Sequence, residues 1–239
     1  MSTPQPHSPP SPPAAPPPDA AARERDFTRD ASHELRTPLT VIRVASDLIA
    51  QDDGLSAASR RSLSRIQDAV AGMEAVIDAL LLLARCEQTA LDAEDVPVRD
   101  VVEQELARLQ PLLRRKPLAL RLEVEAEPVL HAPPRVLPVM LGNLLANAVR
   151  FTDVGGVVVR LRADAVDVED TGIGMDAATL ARAFEPFYRG QGEQYVGPGL
   201  GLSIAHRLGQ RCGWTLRLES TPGQGTRATI LFGRSVHRD

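Results

Sequence analysis

Four stretches of this chain combine residue types and spacings that could do chemistry together. The first is Ser32-His33-Glu34-Leu35-Arg36-Thr37-Pro38-Leu39. An imidazole nitrogen can attack phosphorus directly when a carboxylate holds its other nitrogen in the right tautomer, and Glu34 is the next residue. The second is the pair Asn143 and Asn147, one helical turn apart, so that both amides project from one face. A neutral amide oxygen is a hard ligand suited to Mg²⁺ that phosphate oxygens also hold. Arg150 and Phe151 follow one turn on, a cation for phosphates and an aromatic face. The third is Asp170-Thr171-Gly172-Ile173-Gly174 after an apparent strand. A carboxylate there can accept a hydrogen bond from an amino group such as that of adenine, while the glycines let the backbone come close. The fourth is Gly197-Pro198-Gly199-Leu200-Gly201-Leu202, which opens a helical pattern where free N–H groups and the helix dipole favour phosphate.

Each stretch also has an ordinary reading. A histidine on a helix can be structural, an asparagine pair can be a solvated or capping face, and Asp-x-Gly-x-Gly is a common turn. A glycine-rich loop alone is weak evidence. Between the last two stretches lies Phe184-Glu185-Pro186-Phe187-Tyr188-Arg189 and then a small, polar run over 190–196. It reads either as a surface loop or as a segment that closes over a nucleotide. Order and spacing, rather than any one stretch, carry the argument.

The elements that must position these residues fall into two blocks. Residues 1–22 are mainly Pro, Ser and Ala, too poor in large apolar side chains to offset the entropy of ordering, and read as a disordered spacer with polyproline II character. From 23 to 90 the pattern is helical, broken by Gln51-Asp52-Asp53-Gly54, which predicts a helical hairpin. Leu35, Leu39, Ile42, Ser46 and Ile49 on one arm, and Leu63, Ile66, Val70, Met73, Ile77, Leu80 and Ala84 on the other, recur at steps of three and four. A lone hairpin leaves part of such stripes wet, so two chains forming a four-helix bundle is the economical solution. Pro38 inside the first arm predicts a kink beside His33.

From 96 to 234 helices and strands mix. Helices are predicted over 101–113, 134–150 and 200–211, and strands over 118–124, 157–162, 165–169, 214–219 and 226–232. Helices on one face of a mixed sheet make an α/β sandwich, so the whole chain reads as α+β. Its hydrophobic fraction of 43% can supply real cores, but with aromatics at 3% they must be built from aliphatic side chains. A net charge of −4 offers no broad electrostatic reason to bind nucleic acid or an anionic membrane. Cys86 and Cys212 lack metal-ligand spacing and read as reduced thiols without a role. No stretch has the length of a membrane span and prolines stand where a signal peptide has its apolar core, so the expected location is cytoplasmic.

Taken in order, these motifs resemble the catalytic core of the bacterial two-component sensor histidine kinases. His33 to Leu39 resembles the H box, Asn143 to Asn147 the N box, Asp170 to Gly174 the G1 box, Phe184 to Phe187 the F box and Gly197 to Gly201 the G2 box. The resemblance covers nearly the whole chain from Asp26 to Phe232. It implies a dimerisation and phosphotransfer hairpin followed by the ATP-binding GHKL (Bergerat) sandwich shared with type II topoisomerases and a heat-shock chaperone. It implies His33 as phosphoacceptor, Glu34 as its base, and Thr37 as the group that orients water when such kinases dephosphorylate their regulator. Asn147 would hold Mg²⁺, with Asn143 beside the phosphates. Asp170 would read adenine, with Phe151, Gly172, Gly174 and Thr226 near the base. Arg150, Tyr188 and Arg189 would lie by the phosphates, and Gly197, Gly199, Leu200, Gly201 and Leu202 would line the lid. The implied partners are a second copy of the chain and the receiver domain of a separate response regulator.

Spacing sets aside two other enzyme classes. His33-Glu34-Leu35-Arg36-Thr37 lacks the second histidine of a zinc-binding His-Glu-x-x-His, and no Gly-Lys-Ser/Thr phosphate loop occurs. The alternatives that remain are a catalytically weak dimeric scaffold and a regulator phosphatase. Family members typically carry membrane spans and a sensor before the hairpin; prolines stand there in this chain, so the input is expected from a separate protein or from a longer receptor.

Overall fold

The structure, a computed structural model, describes residues 36–52, 54–88, 93–113, 116–188 and 199–236. The hairpin is α1, over 36–50, and α2, Ala57–Gln88. Its turn closes through the Asp52 carboxylate, which accepts from Gly54 N at 2.8 Å. Ser56 caps α2 by accepting from Ser59 N at 3.0 Å. Leu39, Ser46, Leu63 and Val70 are buried. These positions recur every seven residues on each arm and form the seam between the arms. Gln67 Nε2 donates to Asp47 Oδ1 across the pair at 2.8 Å, and Arg43 lies 3.8 Å from Glu74. The other half of each heptad is open: Ile42, Ile49, Ile66 and Met73 are 43–50% exposed, and Val41, Val44 and Leu48 beside them 50–63%. The predicted stripe is thus covered on one side only. The bend expected beside His33 lies outside the described residues.

The second block is a two-layer sandwich. Its sheet contains β2 (Leu118–Val124), β4 (Gly155–Leu161), β5 (Ala165–Asp170), β7 (Gly225–Leu231) and β6 (Thr215–Thr221), in that spatial order. β2 pairs parallel to β4 and the remaining pairs are antiparallel. Helices α3 (Val98–Leu113), α4 (Val136–Phe151) and α6 (Gly201–Arg211) pair through α4 and close the core. A separate antiparallel pair, β1 (Glu94–Pro97) with β3 (Val129–Ala132), and the short α5 (Ala177–Arg182) were not predicted. The strand and helix expectations over 101–232 otherwise fall within a few residues of the observed elements.

Alternation decides which sheet face is dry. Val157, Val159 and Leu161 on β4, Val166 and Val168 on β5 and Ile230 on β7 are buried with Leu137, Met140, Leu141, Leu144 and Leu145 of α4. Trp214 and Phe232 close the far end edge to face, 5.5 Å between centroids. The opposite face carries charge: Arg160 pairs with Glu123, Arg162 with Asp167 and Arg227 with Glu169, each at 2.8–2.9 Å. A hollow of about 450 Å³ there is lined by Arg160, Arg162, Asp167 and Arg227 together with Glu125, Arg217 and Glu219. Its charges are largely consumed in pairs, and it lies on the other side of the sheet from the chemistry described next. No described helix is long and apolar enough to cross a membrane.

Candidate functional site

Helix α4 is the backbone of the site. Its core-facing stripe is Leu137, Met140, Leu141, Leu144, Leu145 and Ala148, which turns Asn143, Asn147 and Arg150 to the other side. Asn143 Nδ2 donates back to Val139 O at 2.8 Å, and its Oδ1 faces Gly201 at the start of α6. The half-buried Asn147 amide makes no hydrogen bond to any described residue, and Arg150 has no carboxylate partner among them. An amide and a guanidinium without protein partners on one helix face suit an oxygen-rich anion.

The last turn of α4 meets the loop after β5. Phe151 O accepts from Ile173 N at 3.1 Å. A Cβ at Gly172 would stand 2.3 Å from Phe151 O and 2.8 Å from Thr152 Oγ1, so glycine is required by space. Gly174 takes φ +64°, and a side chain there would strike Thr221 O. Ser220 Oγ accepts from Met175 N at 2.8 Å and lies 2.9 Å from Thr226 Oγ1, tying the loop to the β6–β7 hairpin.

These contacts enclose Asp170, which is 8% exposed. Its Oδ1 accepts from Gly172 N at 2.9 Å and Thr226 N at 3.3 Å. Burial nevertheless raises its pKa above the ordinary aspartate range; the two N–H groups and the Thr152 hydroxyl offset only part of that effect. A buried carboxylate with an unfilled acceptor position is ready for a ligand N–H.

Helix α6 starts against α4, where a Cβ at Gly201 would lie 2.7 Å from Asn143 Oδ1. Leu200 and Leu202 pack on the core beside it. Phe184 stacks on His206 of α6 with centroids 4.4 Å apart, and Tyr188 lies under the Arg182 guanidinium at 4.0 Å. Phe187 is a non-glycine residue at φ +64° and is 72% exposed. Its N–H donates to Gly199 O at 2.9 Å, so the chain leaves for 189–198 and returns at one point.

Two family models match this arrangement. Residues 23–89 match the His Kinase A (phospho-acceptor) domain, and residues 134–235 match the family described as histidine kinase-, DNA gyrase B-, and HSP90-like ATPase. The chain belongs to the sensor histidine kinases. This histidine kinase core is 32% identical over 214 residues to Sensor protein QseC of Escherichia coli K12, covering 88% of the chain and 48% of QseC. To Sensor histidine kinase RcsC of the same strain it is 34% identical over 221 residues, covering 87% of the chain and 23% of RcsC. The chain therefore spans about half the length of QseC and less of RcsC. Among solved structures, full-length ShkA in complex with AMPPNP aligns with a TM-score of 0.64 at 27% identity, over 86% of this chain and 45% of ShkA. The histidine kinase AdeS of Acinetobacter baumannii shares the fold, with a TM-score of 0.56 at 23% identity over 83% of this chain and 95% of AdeS.

The histidine kinase core brings Phe151, Asp170, Gly172, Gly174 and Thr226 together where the end of α4 meets the β5 loop; Asn143, Asn147 and Arg150 lie on α4 itself, and Gly201, at the start of α6, packs on Asn143, with Gly199 and Leu200 just before it and Leu202 after it. Thr37 is on α1, at an exposed position. His33, Glu34, Arg189 and Gly197 lie outside the described residues, as does the tail. Cys212 is a free thiol. Sequence reasoning passed over Thr152, Ser220, Gly225 and Lys116. Gly225 could have been found from its place in the Pro222-Gly223-Gln224-Gly225 turn; at φ +95° its absent side chain would meet Asp170 O at 1.9 Å. Nothing in the local sequence marks Lys116.

Proposed function

We propose that this chain binds ATP with Mg²⁺ between α4 and the β5 loop, phosphorylates its own His33, and passes the phosphoryl group to an aspartate of a separate response regulator. The observation that carries the reading is the buried Asp170 carboxylate, braced by Gly172 N and Thr226 N, beside the last turn of α4, the helix that also carries Asn147 and Arg150. In this reading Asp170 accepts the adenine amino group and Phe151 with Thr226 bounds the base. Arg150 holds phosphate with Arg189, and the Gly197–Gly201 backbone offers N–H donors at the start of α6.

Among the described residues no cluster of three His, Cys, Asp or Glu side chains could hold a metal by itself. A cation held mostly by phosphate oxygens and completed by one neutral amide fits that donor set, and Asn147 offers an amide without a partner among the described residues. When bound, Mg²⁺ neutralises charge on the phosphates and on the departing ADP. Glu34 holds the Nδ1 proton of His33, which leaves the other ring nitrogen to attack the γ-phosphorus in line. Positioning and charge supply most of the rate, since phosphoryl transfer needs little covalent help from the protein.

The hairpin over 23–90 is the dimerisation and phosphotransfer unit in this proposal, 96–234 the nucleotide-binding unit and 1–22 a spacer. A second copy covers the open half-heptads at Ile42, Ile49, Ile66 and Met73, completing a four-helix bundle on which the regulator docks. Thr37, one turn after His33, orients water when the same bundle dephosphorylates the regulator. The test is label transfer from γ-labelled ATP with Mg²⁺ into the full chain and into His33→Gln. Acid-labile label that disappears in the variant is expected; nucleotide binding without any label in the wild type would refute the kinase reading.

A further inference from the structure

The ammonium of Lys116 sits at the C-terminal end of α4, in none of the motifs above. Its Nζ lies 3.0 Å from each of the carbonyls of Val149, Arg150 and Thr152 and 2.9 Å from Asp153 Oδ1. The last four carbonyls of a helix have no partner within it and carry the negative end of its dipole. All four are accounted for here. Ala148 O accepts from Thr152 Oγ1 at 2.7 Å and Phe151 O from Ile173 N at 3.1 Å, while Val149 O and Arg150 O fall to Lys116.

The donors come from three separate places, and each joins α4 to another part of the site. Ile173 belongs to the glycine loop beside Asp170, and Thr152 stands next to the Asp170 carboxylate. Lys116 precedes β2 and is itself anchored, donating its N–H to Leu113 O at 3.1 Å and accepting from Leu118 N at 2.8 Å. An ammonium has three donors, and here they serve four acceptors, so its position is tightly specified.

We propose that Lys116 is a positioning residue for nucleotide binding: by gathering the end of α4 it sets Arg150 and Phe151 on one side and Thr152, with Asp170, on the other. Its charge also offsets the negative end of the α4 dipole next to a cleft that takes a polyanion. This proposal rests on the nucleotide-site reading above. Lysine's three donors and charge are both used, whereas a residue that only filled space would need neither.

The test compares the full wild-type chain with Lys116→Met, Lys116→Gln and Lys116→Arg, using MgADP titration calorimetry, thermal melting and the KM and kcat of autophosphorylation. Lys116→Met is expected to raise KM for MgATP, and the Kd for MgADP, about tenfold while kcat at saturation falls much less. Lys116→Arg keeps charge and donors with a different fork, so it should recover most of that loss. A purely structural role would lower the melting temperature and the active fraction but leave KM where it is. Unchanged KM and Kd in folded Lys116→Met, or no recovery in Lys116→Arg, would overturn the proposal. If the Met variant does not fold, Lys116→Gln decides: it must bind MgADP more weakly than Lys116→Arg, and equal binding overturns the role of the charge. A wild type that binds no nucleotide would bring down the site reading itself, and this proposal with it.

Discussion

Replacing Asp170 by Asn should move stability and nucleotide binding in opposite directions. The carboxylate is buried, and its pKa is raised because desolvation outweighs the donors from Gly172, Thr226 and Thr152. A carboxyl group whose folded pKa exceeds its unfolded value binds its proton more tightly when folded. It therefore favours the fold most at low pH, and that contribution is lost as pH rises from the ordinary aspartate range through the raised value. At neutral pH the bare carboxylate is a cost to the empty protein. Asparagine is nearly isosteric, keeps an oxygen for Gly172 N and Thr226 N, and can turn its NH₂ toward Thr152. The variant should melt at or above the wild-type temperature at neutral pH, with a flatter pH profile between mildly acid and neutral conditions.

Binding should fall at the same time. A hydrogen bond to a charged acceptor contributes about 1.5–3 kcal/mol. Its loss, with an amide N–H now facing the adenine amino group, weakens nucleotide roughly ten- to hundredfold. Wild-type affinity should also decline as pH drops through the raised Asp170 pKa, while Asp170→Asn should show little of that dependence. Thermal melts and ADP titrations across pH read both effects on the same samples. A variant that is clearly destabilised at neutral pH yet binds nucleotide as the wild type does would refute the reasoning on both counts.

Gly225→Ala places a Cβ against Asp170 O in a backbone at φ +95°. It should cost about 1–3 kcal/mol or more in denaturant titration and abolish ADP binding, with wild-type behaviour in either assay counting against the geometry. Ile42→Glu with Ile49→Glu puts charges on the open half of α1 without touching the buried Leu39 and Ser46 seam. Light scattering should report a monomer whose sandwich still binds nucleotide, whereas a persistent dimer would show that association uses another surface.

Much of the fold was legible because its signals are local. Apolar steps of three and four in Leu63, Ile66, Val70 and Met73 identify a helix wherever it packs. Alternation in β4 and β5 gives their faces, and glycine positions mark places where the chain must turn or approach closely. The motifs of the candidate site were visible for the same reason, each being a contiguous run. β1, β3 and α5 were not visible, since four to six residues are too few to show a period and their pairing partners lie far along the chain.

What the amino-acid sequence determined by itself is therefore the order of elements, the dry face of each, and the residue types available for chemistry. Tertiary structure alone decided the rest. The parallel pairing of β2 with β4 brings Lys116 beneath a helix end 33 to 36 residues later. The packing of β5 against β7 is what buries Asp170 and shifts its protonation. In the hairpin, the register of two arms divides one apolar stripe into a covered and an open half. Each of these depends on water being excluded, or not, by a segment distant in the chain, and no local pattern of residues encodes which segment that will be.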